Sequence, residues 1–374
     1  MFTVLLVAQG IALVVLIGRL LPGRNRRPPV LPVEDRGPPR VSVLVPTFNE
    51  VKRLRPCLEG LMQQGATVRE VLVVDGNSSD GTSELVAAVS ARDGRVRIIF
   101  EPPLPNGWIG KVWALQQGLE QTAGEWVLNV DADIEPEPGM VAAAVEAAER
   151  LDLDVVSFAP RFAAQTAAEQ WLQPAMLVTL IYRNGVAGRD GRMPPERTMA
   201  NGQCFLARRD ILVARGGYAP ARASFSDDVT LARRLARRGA RVGFLDGSRL
   251  FTVRSYASLG EMWREWGRSI DLKDATTLGR QLGDIALIGL TQGVPIILLI
   301  AWVLGAVQGG TSTALLLVNV ALIGIRVALS GALAQSYSER HWTYWLSPIA
   351  DPLAVVRVIM SSLMRKKSWR GRQF

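Results

Sequence analysis

Two aspartates one residue apart, Asp131 and Asp133, close the apolar run VLNVDADIEP at residues 127–136. In an extended strand, residues two apart point to the same side, so this spacing predicts two carboxylates converging on one point. Hard oxygen donors at such a point suit a divalent cation, Mg²⁺ or Mn²⁺. A second pair with the same spacing, Asp152 and Asp154 in RLDLDVV, precedes an apolar run instead of ending one. The spacing alone therefore decides nothing, and the residues around each pair have to.

Between Pro38 and about Gly260, short β-branched runs alternate with helical ones, the pattern of a parallel sheet covered by helices. VSVLVP (41–46), REVLVVD (69–75), VRIIFEP (96–102) and EWVLNVDAD (125–133) read as strands. In such sheets ligands bind beyond the carboxyl ends of the strands. Polar residues gather at those ends: Thr47, Asn49 and Glu50 after the first strand, Asp75 after the second, and Asp131 and Asp133 after the fourth. Asp152 and Asp154 have no such companions. The loop after the first strand, PTFNEVKRL, lacks G-x-G-x-x-G, and no GxxxxGK[ST] occurs, which argues against a nicotinamide or flavin enzyme and against a P-loop ATPase. Carboxylates and a divalent metal at strand ends suit a nucleotide diphosphate whose charge must be neutralised as it leaves.

The flanks are of another kind. Of the 374 residues 48% are hydrophobic and 21% charged, with mean hydropathy +0.17, the mixture expected of a soluble domain joined to membrane segments. Phe2 to Leu21 is long and apolar enough to span a bilayer and is followed by Arg24, Arg26 and Arg27, so it reads as an uncleaved anchor (1–22) with the next domain in the cytosol. A Pro-rich linker (23–40) leads to the α/β domain (41–260), an interfacial segment (261–284) and a membrane region (285–374). In that region 285–307 and 313–334 read as a hairpin joined by QGGTS. The stretch 345–364, with Pro348, Asp351, Pro352 and Arg357, reads as a helix in the interface rather than a full span. The formal charge of +9 does not point to nucleic acid: five basic residues sit in the tail RKKSWRGR and three after the anchor, where anionic headgroups lie. The arginines of LARRLARRG read as a solvated helix face. Cys57 and Cys204 show no metal or redox spacing, and His341 stands alone beside the membrane part.

At this point the motifs resemble glycosyltransferase family 2, inverting nucleotide-sugar transferases of the GT-A fold, over about residues 41–270. VPTFNE resembles the family's opening strand and loop, and VVDGNSSDGT its second-strand motif, with Gly76 in place of the second aspartate. GKVWALQQGL resembles Gly-Lys-x-x-Ala-Leu-Asn-x-Gly, with Gln116 at the Asn position, and VDADIEP resembles the metal motif. The resemblance implies that Pro46, Thr47, Asn49, Glu50 and Asp75 line the donor pocket and that Lys111 approaches the donor phosphates or base. It implies that Asp131 and Asp133 contact ribose and metal, with Asp133 on the cation. SFSDDVTLARRLARRG resembles Glu-Asp-x-x-Leu-x-x-Arg-Leu, with Asp227 at the Glu position and Asp228 as the general base. Such chemistry needs a carboxylate to take the proton of a poorly nucleophilic acceptor hydroxyl. In place of the Gln-x-x-Arg-Trp of processive synthases the chain has GEMWREWGRS. There Arg264 and Trp266 either cap the site or rest at the membrane surface.

PPLPNGWIGKVWAL, MANGQCFLARRDILVARGGY (with Gly202 at a recurring position) and the closing WRGR resemble a membrane subgroup that glycosylates terpenoid lipids such as carotenoid or hopanoid alcohols. A domain tethered at both ends to a membrane suits a lipid acceptor. Two alternatives stay open. A polyprenyl phosphate or glycerolipid acceptor would draw on Arg183, Arg189, Arg192 and Arg197, and a non-catalytic membrane protein would keep only the fold.

Overall fold

The computed structural model describes residues 2–189, 191, 193–254, 256, 258–305, 313–363, 368–369 and 372–373, the backbone alone at 268, 269, 368, 369, 372 and 373. Arg192, the loop 308–312, and the side chains of Arg268 and of the basic tail 365–372 lie outside the described residues. The chain folds as two compact units: Arg27–Phe162, Gly191–Ser255 and Lys366–Phe374 form one, and Met1–Arg26, Ala163–Asp190 and Tyr256–Arg365 the other.

The first unit is the expected α/β domain. Its strands are β1 (Val41–Thr47), β2 (Val68–Asp75), β3 (Val96–Phe100), β4 (Trp126–Val130), β5 (Ile134–Pro136), β6 (Val155–Ala159), β7 (Arg161–Phe162), β8 (Cys204–Arg208), β9 (Val242–Asp246) and β10 (Phe251–Val253). Seven form one sheet in the order β3-β2-β1-β4-β8-β6-β9; β5-β10-β7 form a small second one. β8 runs antiparallel to β4 and β6, while the pairs β3–β2, β2–β1 and β1–β4 are parallel. Strands such as VSVLVPT are apolar nearly throughout because both faces are covered. On one face Leu54, Cys57, Leu58, Val86, Val141 and Ala144 pack against Val43, Val73 and Leu128. On the other, Val112, Leu115, Leu119, Leu231 and Leu235 pack against Leu44, Leu72 and Val127. Each fully buried Val or Leu is worth roughly 1.5–3 kcal/mol in transfer terms.

The helix Gly110–Glu120 lies especially close to the sheet. A Cβ on Gly118 would meet Leu44 Cδ2 and Val74 Cγ2, each at 2.9 Å, so only glycine allows this approach. That contact aims the start of the helix, with Lys111, over the ends of the central strands.

The Pro-rich stretch is not a free tether. Val30 N–H donates to the Asp246 carbonyl at 2.9 Å, and the Asp35 carboxylate accepts from Thr67 N–H and Oγ1 at 3.1 and 2.6 Å, fastening the stretch to its own unit.

The second unit is helical. Among the described residues, four helices are long and apolar enough to cross a membrane: Phe2–Asn25, Leu278–Val303, Thr313–Ser336 and Trp342–Leu363. The last was expected to lie in the interface, but its length and composition also meet the requirement for a span. Its charged residues are satisfied inside the unit. Asp351 pairs with Arg326 at 2.8 Å, both essentially unexposed, and accepts from Gln292 Nε2 at 3.1 Å. Arg19 pairs likewise with Asp284 at 2.8 Å, and Gln9 with Asn319. Pairing is what allows polar groups in an apolar helical body.

The helix Ala167–Asn184, expected within the α/β domain, belongs to this helical unit. It is capped by a Thr166–Glu169 capping box and buries side chains on nearly every side, Arg183 included. Arg183 donates to the Thr179 and Ile270 carbonyls at 2.8 and 2.7 Å. Trp266 packs into the unit's core rather than lying on a surface, whereas Arg264 is exposed.

Candidate active site

The aspartates of the opening motif do not lie within a strand. β4 ends at Val130 and β5 begins at Ile134, so Asp131, Ala132 and Asp133 form the turn between them. The strand-alternation argument therefore does not apply; the turn itself brings both carboxylates to the carboxyl end of β4. Beneath them the buried Cys57 thiol donates to the Asp131 carbonyl at 3.7 Å. Burial, and then the two carboxylates, push that thiol's pKa far up, so it stays a neutral packing group.

Lys111 joins this turn to the other acidic pair. Its Nζ lies 2.6 Å from Asp131 Oδ1. Burial works against the ammonium, yet Asp131, Asp227 and Asp228 outweigh it and raise the lysine pKa above the ordinary value. Asp227 and Asp228 open the helix Asp227–Arg237. Asp228 Oδ1 accepts from Val229 N–H at 2.8 Å and Oδ2 from Gly202 N–H at 2.7 Å. A Cβ on Gly202 would come 2.8 Å from Lys111 Nζ, so a side chain at this position would displace the ammonium. The structure thus brings Lys111, Asp131, Gly202, Asp227 and Asp228 together from four separate stretches of chain.

Burial is also the main reason both acidic side chains at this helix start hold their protons more tightly than usual. Asp228 is raised against the opposing Lys111 charge and its two backbone hydrogen bonds. Asp227 is pushed up to about 7, with Asp228 and Asp131 adding to the burial and Lys111 opposing it. A group whose folded-state value exceeds its unfolded 3.8 stabilises the fold fully below about that pH and loses the contribution as pH rises through the folded value. The donor-free protein should therefore melt at a higher temperature at about pH 6 than at about pH 8, and Asp227→Asn should flatten the difference. An unchanged slope in the variant, measured by thermal unfolding in detergent, would assign that dependence elsewhere.

The expected donor residues at the ends of β1 and β2 form a stapled pair of loops. Asp75 is fully buried; its Oδ1 accepts from Thr47 Oγ1 at 3.1 Å and Ser78 Oγ at 2.5 Å, and its Oδ2 from Ser78 N–H at 2.9 Å. Asp75 thus organises the loop. Asn49, at φ +56°, receives Ser79 N–H on its Oδ1 at 2.9 Å and donates its own N–H to Ser78 Oγ at 2.8 Å. Glu50 N–H donates to Thr82 Oγ1 at 3.0 Å. Pro46 lies on the last turn of β1 toward this loop pair and is partly exposed. Ser78, Asp80 and Thr82 were missed from the sequence as organisers, although Asp-Gly-Asn-Ser-Ser-Asp-Gly-Thr is rich in residues that bond their own backbone.

The decoy pair is structural. Arg241 holds Asp154 at 2.9 Å and also pairs with Asp152, away from the strand ends. Gln116, at the position where Asn was expected, accepts Tyr218 N–H at 2.9 Å. The helix face of LARRLARRG is solvated at Arg234, Arg237 and Arg238, but Arg233 turns inward, buried, and donates to the Thr198 carbonyl at 3.0 Å.

Asp131 and Asp133 fit a hard divalent cation as oxygen donors, and the ammonium on Asp131 marks a position that draws positive charge. Among the described residues no group of three or more His, Cys, Asp or Glu could hold a metal unaided. Two carboxylates completed by substrate phosphate oxygens and water is the arrangement Mg²⁺ favours.

A mixed sheet of order β3-β2-β1-β4-β8-β6-β9, with its acidic site at the strand ends, defines an α/β domain of the GT-A type. A mannosyltransferase, PcManGT from Pyrobaculum calidifontis, solved with GDP-Man and Mn²⁺, shares this fold: the TM-score is 0.55 at 20% identity, covering 95% of this chain and 99% of that one. Residues 42–215 match the family model described as Glycosyl transferase family 2. Glycosyltransferase GlyG of Streptococcus pneumoniae is 29% identical over 116 residues, 31% of this chain and 37% of GlyG. The 4,4'-diaponeurosporenoate glycosyltransferase of Staphylococcus haemolyticus is 36% identical over 95 residues, 25% of this chain and 24% of that protein. The chain thus aligns with well under two thirds of these relatives' length.

Proposed function

We propose that this protein is a membrane-bound, inverting glycosyltransferase that moves a sugar from a nucleotide-diphosphate sugar to a hydroxyl of a lipid, a terpenoid such as a carotenoid or hopanoid. The observation that carries the reading is the cluster of Lys111, Asp131 and Asp228, where a cationic group and a proton-accepting carboxylate face one space at the strand ends.

In the reaction the acceptor hydroxyl oxygen attacks the anomeric carbon, its proton passes to Asp228, and the bond to the nucleotide diphosphate breaks on the opposite face. Lys111 offers its ammonium to the departing phosphates, and the Thr47–Asp75 loops hold the nucleoside end of the donor. Asp133 with Asp131 would hold a divalent cation, which supplies neutralising charge to the leaving diphosphate. The fold neighbour's GDP-Man and Mn²⁺ are ligands of this class.

Three things favour a lipid acceptor: the four apolar helices, the sequence links that join the α/β unit to the helical unit at both ends, and the carotenoid-derived substrate in the name of one relative. The basic residues after the first helix favour the cytosolic side for the α/β unit. A phosphate-bearing acceptor is less favoured, because Arg183 is spent on backbone carbonyls inside the helical unit. The intact acidic cluster argues against a non-catalytic relic.

Membranes containing the protein, incubated with labelled nucleotide sugars, Mg²⁺ or Mn²⁺ and a lipid extract, test the reading. A discrete labelled glycolipid that depends on the wild-type protein is expected. Label confined to water-soluble polymer, or no transfer from any donor, would overturn it.

A further inference from the structure

The general base is held in place by a buried network that the reaction as described does not use. Asn129, on β4 two residues before Asp131, is 3% exposed and so is Tyr218. Asn129 Oδ1 accepts from Tyr218 Oη at 3.1 Å, and its Nδ2 donates to the Gly202 carbonyl at 3.2 Å. A backbone carbonyl only accepts, so the amide must face it with its nitrogen, and the hydroxyl then donates to the amide oxygen. The Gly202 N–H in turn donates to Asp228 Oδ2 at 2.7 Å. Ser157 on β6 holds both sides of Asn201: its Oγ accepts from Asn201 N–H at 2.7 Å and donates at 2.9 Å to the Asn201 carbonyl, which shares a peptide with the Gly202 N–H. Gln116, from the helix that carries Lys111, holds Tyr218 N–H at 2.9 Å.

We infer that Asn129 is a positioning residue that sets the base relative to the cation motif. It sits on the strand that leads into Asp131 and Asp133, and it grips the carbonyl of Gly202, the residue whose N–H orients Asp228. One side chain therefore ties the cation turn to the proton acceptor: the Gly202 carbonyl fixes which way the amide points, and Tyr218 holds its oxygen. Oδ1 and Nδ2 of Asn129 are engaged by Tyr218 and the Gly202 carbonyl. Its effect passes through Gly202, whose lack of a side chain leaves room for Lys111.

This inference rests on the transfer reading above, and two variants separate its failure from the failure of that reading. Asn129→Leu keeps the volume and loses both hydrogen bonds, while Asn129→Asp keeps an acceptor for Tyr218 but cannot donate to the Gly202 carbonyl. If Asn129 positions the base, both should lower kcat by about 10- to 100-fold, the order of loss that small misplacement of a reacting group brings, with the donor KM within about twofold. A packing role would be met by leucine and a Tyr218-anchoring role by aspartate, so near-wild-type kcat in either variant overturns the inference. So does a rise in donor KM that matches the fall in kcat. Should Asn129→Leu not fold, Asn129→Asp decides, and Tyr218→Phe should show the same split in smaller measure. A wild type inert with every donor would remove the transfer reading and this inference with it.

Discussion

Asp228→Asn should lower sugar transfer by about 10²- to 10⁴-fold and leave donor affinity within a few-fold of wild type. Asparagine keeps the shape and the hydrogen bond from Gly202 N–H but cannot take a proton at the working pH. The carboxylate is suited to the task by its surroundings: burial raises its proton affinity, while Lys111 and two backbone N–H groups oppose that rise and aim it. Single-turnover transfer, with nucleotide binding measured in parallel, checks the split. Turnover above a tenth of wild type would take the base role away from Asp228, and equal losses in binding and turnover would make it a donor contact.

Asp133→Asn should remove the effect of Mn²⁺ or Mg²⁺ on nucleotide binding and weaken donor affinity by at least about 100-fold, at or above the upper end of what the loss of an outer-shell partner costs. The reason lies in the ion pair next door. Asp131 is engaged by the Lys111 ammonium at 2.6 Å, so Asp133 is the carboxylate of the turn on which a cation depends first. Calorimetric titration of nucleotide with and without metal measures the effect, and electron paramagnetic resonance of Mn²⁺ reads the cation directly. Asp154→Ala is the control: it belongs to a pair with the same spacing, but its carboxylate is committed to Arg241, so donor binding should not change. A donor affinity that still rises with Mn²⁺ in the Asp133 variant would move the cation elsewhere.

Much of this site is legible in the sequence because its carboxylates follow apolar strands. Val127–Val130 running into Asp131 needs only alternation and burial to be read as a strand delivering an acid to an edge. The same logic sets aside Asp152 and Asp154, which enter a strand instead of leaving one. What local pattern does not carry is the conformation at the end of the strand. A turn at 131–133 and an extension through it have the same residues, and only the pairing of β5 with β10 selects the turn. The Asn129–Gly202–Asp228 link escapes for a related reason, since it joins residues separated by 73 and 26 positions.

The division of the chain shows the same boundary. Helices such as Phe2–Leu20 and Thr313–Leu333 declare themselves by continuous hydropathy, a property of each segment alone. Ala167–Asn184 carries glutamate, glutamines and an arginine and does not declare itself; it joins the helical unit because partners there satisfy those groups, as Ile270 does for Arg183. The first four strands, candidate spans and the identity of the acidic residues were thus determined by the sequence itself, through periodicity and burial over a few neighbours, while the place of each strand in the sheet and the antiparallel β8 were not. The tertiary structure alone decided which acids share one lysine, which arginine turns inward and which peptide holds the base, because those choices are made by contacts between distant segments competing for the same buried space.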